Sequence, residues 1–220
     1  MKIWPLAKIR KMIKNFFKEP LTYGKSSLEM LILLIQDKAL GIKACAYYFP
    51  QDSLSFVDDA STYATTSHSK LRKMIKYLDL NADDTFVDLG CGAGRAVFVA
   101  AKQRIKKAIG VEIRKELVDA ARINLKQARS SRAPVEIVDS DAAVFEAKEG
   151  TVFFMFNPFG KMTLEKVIKN IRQSLLANPR KIRIAYYCPA YKDLLDAQDW
   201  LVFKGEIEKS GIFVWQSKYR

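Results

Sequence analysis

Residues 86–95 read Phe-Val-Asp-Leu-Gly-Cys-Gly-Ala-Gly-Arg, and this stretch restricts the fold more than any other. An apolar strand ends on an acid, turns through three glycines spaced Gly-x-Gly-x-Gly, and enters a helix. Glycines let backbone turn sharply and approach a ligand closely, and helix N-terminal amides face whatever binds there. The surrounding pattern agrees. Strand signals at 85–89, 108–112, 135–138, 151–156 and 182–187 alternate with helical signals at 93–103, 115–129, 163–176 and 193–197. Two closing strands, 200–207 and 212–217, flank Glu208-Lys209-Ser210-Gly211, a hairpin turn. The alternation specifies an α/β fold: a doubly wound, mostly parallel seven-strand sheet with a C-terminal antiparallel hairpin.

Upstream lies a different kind of segment, a helical N-terminal extension over 1–61, with the glycine-loop domain over 62–220. Residues 1–19 place Leu6, Ile9, Ile13, Phe16 and Phe17 at helical spacing, with Lys8, Lys11, Lys14 and Lys18 on other faces. This segment either docks on its own domain or touches an anionic membrane, RNA or the ribosome. Ser26-Ser27-Leu28-Glu29 opens a second helix that Gly41 closes after Leu40. Residues 42–66 are irregular, and a helix follows from Ser67 to about Leu80.

Scarcity excludes several chemistries. The 220 residues include one histidine, His68, and three scattered cysteines, Cys45, Cys91 and Cys188. A two-histidine zinc site lacks its ligands, no Cys-x-x-Cys pair exists, and no nucleophile-elbow pattern supports a hydrolase triad. No metal is therefore expected. His68 falls on the inner face of its helix, as a buried, hydrogen-bonded histidine or, alternatively, a general base. Unpaired cysteines suggest a reducing compartment. No apolar run approaches the roughly 20 residues of a membrane span, so the expected location is the cytoplasm, with membrane-peripheral contact only through residues 1–19. Lys and Arg number 37 against 24 acids, a net charge of +13 that favours acidic partners.

The ligand of the glycine loop follows from two details. A dinucleotide fingerprint requires a third glycine where Arg95 stands. Asp88 sits just before the glycines, where a carboxylate would repel a pyrophosphate and attract a cation. S-adenosylmethionine carries a sulfonium and an ammonium and has no phosphate.

On these residues the chain resembles the class I, seven-strand, Rossmann-like S-adenosylmethionine-dependent methyltransferases, over roughly residues 62–218. Val87–Arg95 matches that family's first motif. The resemblance implies that Asp88 faces the methionine amino group and that Gly90, Cys91 and Gly92 wrap beneath the cofactor, Cys91 as a small spacer. It implies that Glu112, ending the second strand, takes both ribose hydroxyls and that Ile113 packs on the adenine. Asp141, beside Ala142 at the third-strand exit, would accept from the adenine amino group. Tyr63-Ala64-Thr65-Thr66 lies where many members close over the cofactor, with Tyr63 and Thr65 as its contacts. Asn157-Pro158-Phe159-Gly160 lies where members place catalytic or substrate-gripping residues, and Asn157 is the candidate catalytic residue.

The acceptor is less legible. Asn157-Pro158-Phe159 is similar to the Asn-Pro-Pro-aromatic motif of amino-methylating nucleic-acid and glutamine enzymes, but one proline is missing. In that motif an amide oxygen and a backbone carbonyl hold the target amine under an aromatic ring. The order of segments looks closer to small prokaryotic methyltransferases and to non-SET lysine methyltransferases resembling the disruptor-of-telomeric-silencing enzymes. A lysine acceptor must shed a proton, which desolvation in an apolar channel promotes. Tyr47, Tyr48, Phe49, Phe159, Tyr186 and Tyr187 are candidate walls. The expected acceptor is a macromolecule, protein lysine ahead of nucleic acid, with a non-catalytic cofactor-binding module as the remaining alternative.

Overall fold

In the computed structural model the described residues are 27–45, 54, 57–129 and 131–218. The expected segment 1–19, the capping Ser26 and the aromatics Tyr47, Tyr48 and Phe49 lie outside them. The chain forms α1 (Ser27–Leu40), α2 (His68–Leu78), β1 (Thr85–Leu89), α3 (Arg95–Ala100), β2 (Lys107–Glu112) and α4 (Lys115–Gln127). It continues through β3 (Val135–Asp139), β4 (Val152–Met155), α5 (Lys161–Ala177), β5 (Arg183–Tyr187), α6 (Lys192–Asp196), β6 (Leu201–Glu206) and β7 (Ile212–Ser217).

One seven-stranded sheet runs in the order β3-β2-β1-β4-β5-β7-β6. The first five pair in parallel, and β7 joins β5 antiparallel with β6 outside it. Parallel strands covered on both faces are buried throughout, as β1 and β4 are. Their alternating side chains feed two cores. Phe86, Val152 and Phe154 join Leu71, Met74, Ile75 and Val97 from α2 and α3. Val87, Phe153 and Met155 join Leu164, Val167, Ile168 and Ile171 from α5. Trp215 of β7 is fully buried in the second core, and its indole N–H donates to Asp196 at 2.9 Å.

Helix α3 is shorter than the sequence pattern suggests, because Gly92 and Gly94 adopt positive φ and postpone its start to Arg95. Ser67 caps α2, its side chain accepting from the Lys70 N–H. Helix α1 packs on the body: Arg129 N–H donates to Leu40 O at 2.8 Å, and Leu40, Ile42 and Ala44 share the core of α2 and α3. Among the described residues no helix is long and apolar enough to cross a membrane.

Candidate active site at the carboxyl ends of the strands

Parallel strands bring their carboxyl ends to one edge of the sheet, where side chains from different strand ends converge. The glycine turn after β1 is tied to β2 there, since the N–H groups of Gly90 and Cys91 both donate to Val111 O at 2.9 Å. Gly90 and Gly92 have φ of 77° and 54°. A Cβ on Gly92 would stand 2.1 Å from Tyr63 Cε2, and one on Gly90 would stand 2.4 Å from Pro158 Cβ. Both glycines are therefore required by neighbouring side chains as well as by the turn.

A cleft of about 230 Å³ opens at this edge. Glu112, Ile113, Asp141 and Ala142 form one wall, residues 57–64 face them, and Pro158 and Phe159 close the end. Glu112 Oε2 accepts the Gly92 N–H at 2.8 Å, while Oε1 accepts from Ile113 at 3.0 Å and Arg114 at 2.9 Å. Burial raises the Glu112 pKa above the ordinary carboxylate value, and those backbone bonds oppose the rise. Asp141 Oδ1 accepts the Ala143 N–H at 2.8 Å and so fixes the turn after β3. Ile113 is 40% exposed on the cleft wall, an apolar surface available for stacking.

Asp88 lines a smaller adjoining cavity beneath the glycine turn, with Gly90, Cys91, Thr65 and Arg95. It is 4% exposed. No donor among the described residues bonds to its carboxylate. Burial, then the charge of Glu112, pushes its pKa well above the ordinary value. A buried carboxylate without a donor is costly, and a cationic group in that cavity would relieve the cost. The Cys91 thiol is also pushed up by burial and by the nearby Asp88 and Glu112, which keeps it protonated and unreactive.

The cleft's roof comes from far away in sequence. Ala60 and Phe159 form an antiparallel bridge, Ser61 N–H donates to Pro158 O at 2.9 Å, and Gly160 N–H donates to Asp59 O at 2.8 Å. Asp59 Oδ2 also accepts from Thr163 at the start of α5, at 3.2 Å. Asn157 adopts φ 41°, a conformation asparagine tolerates better than most residues, and its Oδ1 accepts the Tyr186 hydroxyl at 2.8 Å. Burial pushes the Tyr186 hydroxyl up to about 12, so it stays a donor. The cleft wall includes Phe156, Pro158 and Phe159.

A second, larger cavity of about 690 Å³ adjoins the first, between α1, residues 64–70 and the end of β5. Ala64 and Phe156 line all three cavities, which places them at the junction. The Phe156 ring lies 4.2 Å from that of Tyr187. Lys70 Nζ sits 4.3 Å over the other ring contact, Tyr187, and donates to Tyr187 OH at 2.6 Å and Ser210 O at 2.7 Å.

Behind these walls lies a buried polar cluster. Asp37 of α1, 1% exposed, accepts from Arg95 Nε at 2.8 Å, from the terminal Arg95 nitrogen at 2.6 Å, and bonds His68 Nε2 at 2.8 Å. Arg95 also donates to Thr66 O at 3.2 Å. Burial alone would raise the Asp37 pKa, but the bonds from His68 and Arg95 outweigh it and hold the carboxyl below its ordinary value. His68 is thus buried and hydrogen-bonded.

The structure gathers Tyr63, Asp88, Gly90, Cys91, Glu112, Ile113, Asp141 and Ala142 around the first cleft and the small cavity beneath it, and puts Thr65 between the small and large cavities. Tyr63 spends its hydroxyl on the backbone, donating to Ala44 O at 2.7 Å and accepting from Ala93 at 3.4 Å. Of the aromatics expected to wall an acceptor channel, Tyr187 lines the large cavity, whereas Tyr186 is buried in the core and Phe159 closes the first cleft. Phe156, Lys70 and Asp37 were not legible from sequence. Phe156 reads there as one more apolar strand residue, and Asp37 as a solvated helix position.

The chain is similar to several known methyltransferases. A family profile described as "Histone methylation protein DOT1" matches residues 54–136. A protein-lysine N-methyltransferase of Saccharolobus islandicus is 37% identical over 114 residues, which cover 49% of this chain and 70% of that protein. A histone-lysine N-methyltransferase specific for H3 lysine-79, from Dictyostelium discoideum, is 28% identical over 173 residues, covering 70% of this chain and 9% of that protein. Among solved structures, the Escherichia coli methyltransferase yhhF superposes with a TM-score of 0.55 at 18% identity, covering 70% of this chain and 88% of that one, a likeness of fold.

Proposed function

The chain belongs to the class I, seven-strand S-adenosylmethionine-dependent methyltransferases, and from that premise we propose that its acceptor is the side-chain amine of a protein lysine. When bound, S-adenosylmethionine supplies a sulfonium methyl for in-line transfer to a nucleophile. The residues present suit it. Asp88 is a buried carboxylate with no donor among the described residues, beside a cavity, and is read as the partner of the cofactor's ammonium. Glu112 and Asp141, on the ends of β2 and β3, are read as holding ribose and adenine, with Ile113 stacked on the base. Glu112 keeps further acceptor capacity beyond its three backbone bonds, because a carboxylate offers about four lone-pair sites.

The observation carrying the acceptor reading concerns the residues after β4. Clamping a flat base amine would call on Asn157 Oδ1 and the Pro158 carbonyl, and both are engaged, by Tyr186 OH and by Ser61 N–H. Phe159 is buried rather than presented as a stacking platform. The junction at Phe156 and Ala64 opens instead into the large cavity walled by Tyr187. Aromatic walls suit an aliphatic chain and disfavour the charged ammonium, promoting the loss of a proton that transfer requires. Asn157, held by Tyr186, would then act by fixing the wall beside Phe156.

The test is incubation of cell lysate with methyl-tritiated S-adenosylmethionine and the protein. The expected label resists nuclease and appears as methyllysine after acid hydrolysis. Label confined to nuclease-sensitive material would overturn the lysine reading in favour of a nucleic-acid acceptor.

A further inference from the structure

Three backbone segments meet on a surface that carries cations alone. Residues 38–45, 96–107 and 120–135 contain no aspartate or glutamate. They are joined by hydrogen bonds: Arg129 N–H to Leu40 O at 2.8 Å, Lys43 N–H to the side-chain Oδ1 of Asn124 at 2.8 Å, and Arg132 N–H to Ala101 O at 2.8 Å. Lys43, Arg104, Arg122, Lys126, Arg129 and Arg132 are exposed there and Lys102 is half-buried. None of these seven forms an ion pair among the described residues, whereas the neighbouring Lys106 and Lys107 reach Glu149 and Glu136.

The position of this patch matters as much as its charge. Lys102 and Arg104 precede β2, and Arg129 and Arg132 precede β3, so they sit at the amino ends of strands whose carboxyl ends build the cleft. These four residues and the cleft lie at opposite edges of the sheet.

We propose that this surface binds the phosphate backbone of a nucleic acid as a platform, separate from the methyl-transfer site. Long, unpaired basic side chains without interleaved acids neutralise phosphates and release counterions, which drives sequence-independent binding. A membrane surface is disfavoured, because an interfacial helix needs one continuous apolar face. The exposed apolar residues of α4, Ile123 and Leu125, are two positions apart, about 200° around the helix. An acidic protein surface is disfavoured by the lack of aromatic anchors among these residues.

The experiment compares the full chain with the quadruple variant Lys102→Ala, Arg104→Ala, Arg129→Ala, Arg132→Ala. Binding is measured to a short mixed-sequence DNA duplex and to a single-stranded RNA, across a salt series. The parent should bind one or both with steep salt dependence. The variant should bind at least about tenfold more weakly at 0.1 M salt, with a log–log slope shallower by about 3. Its methyl transfer to a free acceptor protein should be unchanged. Undiminished binding by the variant would assign the interaction elsewhere, to the six bases of residues 1–20 for instance, and overturn the proposal. So would tighter binding to phosphatidylserine vesicles or to an acidic protein than to nucleic acid, or loss of turnover on the free acceptor. The binding readouts do not depend on whether the acceptor is lysine.

Discussion

Glu112 Oε2 accepts the backbone N–H of Gly92 at 2.8 Å, so the carboxylate that ends β2 braces the glycine turn that follows β1. The same residue lines the cleft, so a ligand bound there would meet a carboxylate that also shapes the turn. Replacing Glu112 with Gln removes charge and substitutes a donor for one acceptor. A hydrogen bond to a charged group is worth about 1.5–3 kcal/mol. Glu112→Gln should therefore weaken S-adenosylhomocysteine binding by at least about tenfold by calorimetry, with the folded far-UV spectrum retained. Unchanged affinity would remove Glu112 from the site.

Asp88 has its pKa raised by burial and by Glu112, so the unliganded protein holds a proton there above the ordinary aspartate value of about 3.9. The folded state then binds more protons than the unfolded one between that value and the raised one. Stability of the unliganded protein must fall as pH rises through this window. A ligand ammonium favours the ionised carboxylate, so binding should release a proton and restore stability. Calorimetry in buffers of different ionisation enthalpy should detect proton release with S-adenosylhomocysteine for the parent and less for Asp88→Asn. Equal release from both would refute the pairing.

Asp37 joins α1 to the helix after the glycine loop through Arg95 and to the start of α2 through His68. Asp37→Ala leaves a buried guanidinium unpaired, which costs about 3–5 kcal/mol. Asp37→Asn should cost less, since an amide oxygen still accepts one bond. Urea unfolding should show the midpoint falling in that order. Because the Asp37 pKa is depressed, its contribution is present above the unfolded value and is lost as pH falls through the folded one. The parent's advantage over Asp37→Asn should shrink in acid.

The cysteines should separate by burial. Cys188 is exposed, and Cys45 and Cys91 are buried. A thiol reagent should modify Cys188 in the folded protein and reach Cys45 and Cys91 only on unfolding. Rapid modification of Cys91, suppressed by S-adenosylhomocysteine, would contradict its reading as an inert spacer.

Much was legible in the chain because it is local. The turn after β1 requires glycine at Gly90 and Gly92, β1 and β4 are mostly apolar because both faces are covered, and Ser67 marks the start of α2. The convergence of Asp88, Glu112 and Asp141 at one edge was legible because strand ends in a parallel sheet share that edge, so spacing along the chain maps onto position there. One histidine and a missing third glycine narrowed the chemistry before any coordinates.

Tertiary structure alone decided what closes that cleft and what stands behind it. Ala60 pairs with Phe159 across a hundred residues of chain, Asp37 reaches Arg95, and Phe156 stands where three cavities meet. Nothing in local spacing encodes such contacts, because they depend on which irregular segment is brought against which strand end. The net charge shows the same division. The sequence determines +13, but only the fold joins residues 38–45, 96–107 and 120–135 into one surface and sets Lys102, Arg104, Arg129 and Arg132 at the edge of the sheet opposite the site.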